Sequence, residues 1–174
     1  MVVNAQPNTP VSPVISLVQP TCNTAKGSIT ITNTQVNLAY SIDGLNYQSG
    51  AVFANLSPGT YQVTIRNSQG CISSATVGVI LPQPLAPAQP GIITGSTSIA
   101  SGQPQTYSIA AVPNASSYVW TLPNNTWTGT STSTSIQTTV GTNLYGNITV
   151  QSVSSAGCVS TPSTLLVGYP IAPT

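Results

Sequence analysis

The chain has 174 residues, of which only Lys26, Arg66 and Asp43 are charged; it has no histidine and a net charge of +1. An average soluble domain is about one quarter charged, whereas here 25 Thr and 23 Ser, with Asn and Gln, take the place of the charges. Two basic residues cannot neutralise a phosphate backbone, one carboxylate cannot supply an acid–base pair, and three Cys without His fall short of zinc and calcium ligand sets. The expectation is therefore a non-enzyme, with no catalytic residue, cofactor, metal or nucleic-acid partner.

The chain is expected to fold, because disorder pairs low hydrophobicity with high net charge and here 40% of residues are apolar. After Met1 there is neither a basic region nor a continuous apolar core, so signals for export are expected outside this stretch. No apolar run approaches the roughly 20 residues that span a bilayer. The first element is a Pro-rich segment, Ala5–Pro13. Period-two alternation then predicts strands at 28–33, 38–42, 51–56, 60–66 and 72–80. A second Pro-rich segment, Leu81–Pro90, follows; four prolines in ten residues favour an extended spacer. Further strands are predicted at 105–109, 117–122, 135–140, 147–153 and 163–167, and a third Pro-rich segment, Tyr169–Thr174, ends the chain. Turn signals separate the strands at Asp43-Gly44, Pro58-Gly59, Gln69-Gly70, Pro123-Asn124, Gly141 and Ala156-Gly157. No segment holds a helical period.

This spacing predicts an all-β chain of two Ig-like β-sandwich domains in tandem: linker 1–13, sandwich 14–81, Pro-rich linker 82–90, sandwich 91–169 and tail 170–174. The halves share a spacing. Gly59, Tyr61, Val63, Ile65, Gly70 and Cys71 match Gly146, Ile148, Val150, Ser152, Gly157 and Cys158. Tyr40 and Trp120 are the expected buried aromatics of each third strand. Leu56–Tyr61 has the form of a tyrosine corner.

Residues of about 19–80 resemble a SprB-type repeat of the large surface adhesins of gliding Bacteroidota. The resemblance rests on Pro20-Thr-Cys22, Gly27–Ile31, Tyr40-Ser-Ile-Asp-Gly44, Asn46-Tyr47, Leu56–Ile65 and Asn67–Cys71. Residues of about 90–169 are similar to the PKD-like, Ig-like modules found beside such repeats, through Pro90–Gly95, Gln105–Tyr107, Ala115–Leu122, Ile148–Val150 and Gly157-Cys158. The resemblance implies type IX secretion and a place in a cell-surface stalk, among flanking repeats of the same long chain.

Cys22 precedes the first predicted strand and Cys71 the last strand of the same half, so both could meet at one pole of a sandwich. A Cys22–Cys71 disulfide is expected; by loop entropy it would stabilise by roughly 4 kcal/mol and require an oxidising compartment. Two buried thiols are the alternative. The PKD-like pattern usually has a second Cys near Ser98–Ala100, where this chain has Ala100. Cys158 is accordingly expected to be unpaired, with an intermolecular bond as the other reading. Asp43-Gly44 reads as a hairpin turn; an isopeptide bond from Lys26 is the disfavoured alternative. Thr126, Thr128, Thr130, Thr132 and Thr134 read as a solvated edge strand or loop rather than an ice-binding rank.

The functional expectation is a mechanical spacer in an extracellular adhesin or surface filament, connected with adhesion or gliding, that can pack laterally against copies of itself. The alternative is a carbohydrate- or ligand-binding module using Tyr47, Trp127 and Tyr145 as exposed aromatic platforms. Buried rings favour the spacer.

Overall fold

Apolar side chains alternating with Thr, Ser and Gln can satisfy one wet and one dry face only in a strand, and the described residues form strands without helices. The structure, a computed structural model, describes residues 8–168. The expected tail 170–174, Tyr169 and the first seven residues of the expected 1–13 linker lie outside them. Eleven strands occur among the described residues: β1 (Ile15–Val18), β2 (Gly27–Ile31), β3 (Leu38–Ser41), β4 (Val52–Leu56), β5 (Gly59–Asn67), β6 (Thr76–Ile80), β7 (Pro104–Ser108), β8 (Ser117–Thr121), β9 (Ser135–Thr139), β10 (Gly146–Val153) and β11 (Ser163–Val167). The chain divides into two units, parting between Pro84 and Leu85.

In the first unit β1-β2-β4 form one antiparallel sheet and β3-β5-β6 pair into another. Strands one, two and five on one sheet and three, six and seven on the other is the immunoglobulin arrangement, with the fourth strand omitted here. Ile29 and Ile31 from one sheet meet Tyr40, Val63, Ile65 and Ile80 from the other in a single apolar cluster. The second unit repeats the plan with β7-β9 and β11-β10-β8. Tyr107 and Ile136 face Tyr118, Ile148, Val150 and Val167, joined by Trp127 and Val140 from loops. The all-β, tandem Ig-like sandwich expected from spacing is the fold observed.

The shared spacing of the halves is a shared structure. In the first unit the Ser73 amide donates to the Ile65 carbonyl and the Ile65 amide to Ser73 Oγ, which itself donates to the Ser74 carbonyl. In the second unit Ser160, Ser152 and Thr161 make the same three bonds. Asn67 accepts from the Gly70 amide and donates to the Cys71 carbonyl; Ser154 does the same with Gly157 and Cys158. Gly70 and Gly157 turn these corners at φ +87° and +80°, where a side chain would be strained. The corners are also why the last strand of the first unit starts at Thr76 rather than at Ile72: residues 72–75 are spent crossing from one strand to the next.

Register corrects one pairing of the halves. Tyr40 lies opposite Ile65, and the residue opposite Ser152, the counterpart of Ile65, is Tyr118. The buried third-strand aromatic of the second unit is thus Tyr118, whose hydroxyl accepts from the Val112 amide. Trp120 is half-buried on the same face and donates to the Ser133 carbonyl. The tyrosine corner is present: Tyr61 Oη donates to the Ser57 carbonyl at 2.8 Å.

The Pro-rich segments are fastened to the units. Proline has no N–H to give a ladder, but its carbonyl still accepts. Thr76 Oγ1 donates to the Pro13 carbonyl at 2.7 Å, and Ser163, at the start of the last strand of the second unit, donates its hydroxyl to the Pro90 carbonyl. Asn33 reaches the Ser12 carbonyl, Gln83 the Cys22 carbonyl and Ser152 the Ala88 carbonyl. Strand β1, absent from the expected set, lies between these ties. Strand β6, in the other sheet of the unit, accommodates it by a glycine: a Cβ on Gly78 would stand 3.0–3.5 Å from the side-chain tips of Ile29, Ile15 and Leu17.

Candidate functional site

Three surface features gather polar or aromatic chemistry. The first is the turn after β3. Tyr40 and Gln48 exchange both backbone hydrogen bonds and close a hairpin-like loop. Inside it Asp43 Oδ1 accepts from Ser41 Oγ and from the Leu45 and Asn46 amides, while Oδ2 accepts from Asn46 Nδ2. The Asn46 side chain and amide, then the Leu45 amide and the Ser41 hydroxyl, hold the Asp43 carboxyl well below the usual carboxylate range. The chain's sole carboxylate side chain is therefore committed to building a turn.

The second feature stands on the outer face of β3 and β5. Tyr47, expected as an exposed platform, is half-buried. Its hydroxyl bonds Thr64 Oγ1 at 3.0 Å, and the Arg66 guanidinium lies 4.1 Å from its ring centroid, a cation–π contact. Beside Arg66 a cavity of about 370 Å³ is lined by Asn37, Leu38, Ala39, Arg66, Asn67, Ser68 and Gly70. Composition gave the rarity of Arg66, but only the fold stacks it on Tyr47.

The third lies at one end of the second unit, where Ser98, Ile99, Asn143, Leu144 and Tyr145 line a mostly apolar cavity of about 360 Å³. Tyr145 is 44% exposed, as expected. Trp127 is not: it is 4% exposed within the core, its Nε1 donating to the Asn143 carbonyl at 2.9 Å. The expected platform at Trp127 is corrected. A large ring whose one polar atom finds a backbone acceptor is more stable buried. The structure does not bring Tyr47, Trp127 and Tyr145 together: Tyr47 is in the first unit, and of the two candidates in the second, Trp127 is buried and Tyr145 presents its ring.

The remaining candidates resolve simply. Lys26 is exposed and donates Nζ to Ser57 Oγ at 2.7 Å. The alternating Thr rank lies in the loop before β9, not in a strand, and Thr128 instead forms a bridge with Thr139. Among the described residues no cluster of three His, Cys, Asp or Glu could hold a metal. Cys22 is disulfide-bonded, and so is Cys158. The expectation of an unpaired Cys158 is thereby corrected. Its side chain is buried, at 2% exposure, and the absence of a Cys at position 100 did not leave it without a bond.

The comparisons with known proteins fall where the second sandwich lies. Residues 86–167 match the PKD-like domain. No curated protein matches the chain. Among solved structures, the chain is similar to the FN1–FN3 domains of chicken CNTN1, with 14% identity over 92% of this chain and 68% of that one at a TM-score of 0.47. It is also similar to the fibronectin(III)-like modules of Clostridium thermocellum CbhA, with 10% identity over 88% of this chain and 93% of that one at a TM-score of 0.48. A PKD-like domain, Ig-like sandwiches and disulfide-bonded cysteines suggest an extracellular protein. No helix among the described residues is long and apolar enough to cross a membrane.

Proposed function

We propose that the chain is a structural segment of an extracellular adhesin or surface filament, a spacer that carries load between flanking repeats of one long chain. The observation that carries this reading is the way each unit fastens its entry to its exit. In the first unit a hydroxyl on the last strand holds the carbonyl of Pro13, and in the second the same position holds Pro90. Tension on the chain ends pulls on these segments, so the ties, and the side chains of β1 seated over Gly78, are loaded before the core. The resemblance of residues 19–80 to SprB-type repeats supports a cell-surface stalk exported by the type IX route. The near-absence of charge removes repulsion between identical surfaces and supports lateral packing of copies. The burial of Trp127 weighs against a row of aromatic platforms for sugar.

Pulling a single molecule by its ends tests the proposal. With the cysteines reduced, so that no covalent loop shields the chain, two cooperative unfolding events are expected, each lengthening the chain by roughly 240 Å, from about 80 residues at ~3.5 Å each less the folded length. Thr76→Val and Ser163→Ala should each lower the force of one event. Gradual extension at negligible force, without discrete events, would overturn the spacer reading.

A further inference from the structure

Arg66 is the only guanidinium in the chain, and the one carboxylate side chain that could pair with it, Asp43, spends its oxygens on Ser41, Leu45 and Asn46. A half-buried cation is more commonly offset by a neighbouring acid; this one is braced by an aromatic ring. The bracing is specific. Tyr47 is anchored through its hydroxyl to Thr64, a buried residue on the same strand as Arg66, and Arg66 lies over the ring. Opposite Arg66 on β3 stands Ala39, whose small side chain leaves room above the strand pair. The result is the cavity of about 370 Å³ already described, within the usual range for small-molecule sites, about 300–1,000 Å³.

We infer that this cavity binds a carboxylate-bearing sugar, a uronate, with the Arg66 guanidinium as the carboxylate receptor. The guanidinium fork matches a carboxylate with two parallel N–H···O bonds, and stacking on Tyr47 restricts the fork before the ligand arrives, which lowers the entropic cost of binding. A single cation suits a single carboxylate; a phosphate site would gather more positive charge or a run of backbone N–H groups. The rest of the lining fits a sugar ring. Ala39 gives an apolar floor, and the exposed Asn37 and Ser68 offer an amide and a hydroxyl for ring hydroxyls. Asn67 is a wall rather than a partner, because its Oδ1 accepts from Gln69 and Cys71 and its Nδ2 donates to Asn8. Gly70 leaves the rim open: a Cβ there would meet nothing within 4 Å.

The test is a titration of the full chain, labelled with 15N, with oligogalacturonate, with the matching neutral galactose oligomer and with an oligoaspartate peptide, near pH 7 and at two salt concentrations. Oligogalacturonate is expected to shift the Arg66 Nε–Hε signal and the Asn37 side-chain amide, more strongly at low salt, while the neutral oligomer does neither. Arg66→Gln should weaken binding at least about tenfold, as loss of a charge-assisted hydrogen bond would, and Arg66→Lys should fall between it and the parent. The Asn37→Ala/Ser68→Ala pair, which leaves the cation and its ring in place, should weaken the sugar as well. Melting curves of each variant separate lost binding from lost folding. Equal binding of the neutral oligomer, binding of oligoaspartate alone, full affinity in a folded Arg66→Gln variant, or no shift with any probe would each overturn the assignment.

Discussion

Replacing Ser73 with Ala tests whether the repeated corner is a stabilising device or an accident of two similar turns. Ser73 is 7% exposed, and its Oγ is the acceptor for the Ile65 amide at 3.0 Å while donating to the Ser74 carbonyl at 2.9 Å. Alanine fills nearly the same space, so packing changes little. It leaves the amide of Ile65, a residue 1% exposed, without its acceptor. An orphaned buried polar group costs about 1–3 kcal/mol. Taking about 2 kcal/mol, and a shift of about 4–8 °C per kcal/mol for a domain of this size, the first unit should melt roughly 8–16 °C lower. Ser160→Ala repeats the experiment in the second unit, where Ser160 Oγ serves the Ser152 amide. Both tryptophans, Trp120 and Trp127, belong to the second unit. Urea unfolding followed by tryptophan emission therefore reads that unit alone, and tyrosine emission or circular dichroism reads both. Ser160→Ala should move the tryptophan-detected midpoint and Ser73→Ala should leave it in place. A loss below about 0.5 kcal/mol in both variants would mean that the amides find another acceptor, and the reasoning would fail. Movement of the tryptophan signal by Ser73→Ala would refute the separation of the cores.

The depressed Asp43 pKa sets the pH response. The unfolded chain takes up the proton more readily than the folded one, so the stability this carboxylate gives is present above its ordinary value of about 3.9 and is lost as pH falls towards the lower folded value. Melting temperature should be level from about pH 5 to 8 and decline only in acid; Asp43→Asn should flatten the acid limb, and a slope between pH 5 and 8 would contradict the assignment. With three charged side chains in 174 residues, moving from dilute buffer to seawater-like salt should shift the melting temperature by less than about 4 °C, under 1 kcal/mol, as differential scanning calorimetry can check. Gly141→Ala should destabilise the second unit by more than about 2 kcal/mol, because the new Cβ would meet the Thr126 carbonyl oxygen at 2.5 Å; a tryptophan-detected midpoint equal to the parent's would show that the loop yields. Without reductant, Cys22 and Cys158 should each resist alkylation, as cystine sulfurs do; rapid labelling of either, seen by mass spectrometry, would remove that residue's disulfide from the account.

Residue type and order alone determined the elements whose physics is local. Strands follow from period-two alternation, so those from Leu38–Ser41 to Ser163–Val167 fall within a few residues of their expected bounds. The corner glycines and the Tyr61 corner follow from backbone demands that few residue types meet. What the tertiary structure decided is what depends on the far side of a contact. Strand β1 is four residues of which only Ile15 packs against the core cluster, with Leu17 beside it over Gly78, and it exists because Gly78 makes room for these two side chains. The prolines of the linkers read as spacer because proline donates nothing, yet their carbonyls are held by hydroxyls more than sixty positions away in sequence. Trp127 and Tyr145 are both aromatic residues in polar loops; one is buried because the Asn143 carbonyl satisfies its nitrogen, and the other stays on the surface. Arg66 is conspicuous in the sequence for its charge, but its stacking on Tyr47 beside an open cavity arises only when β3 and β5 pair and the Asp43 turn folds Tyr47 back over them.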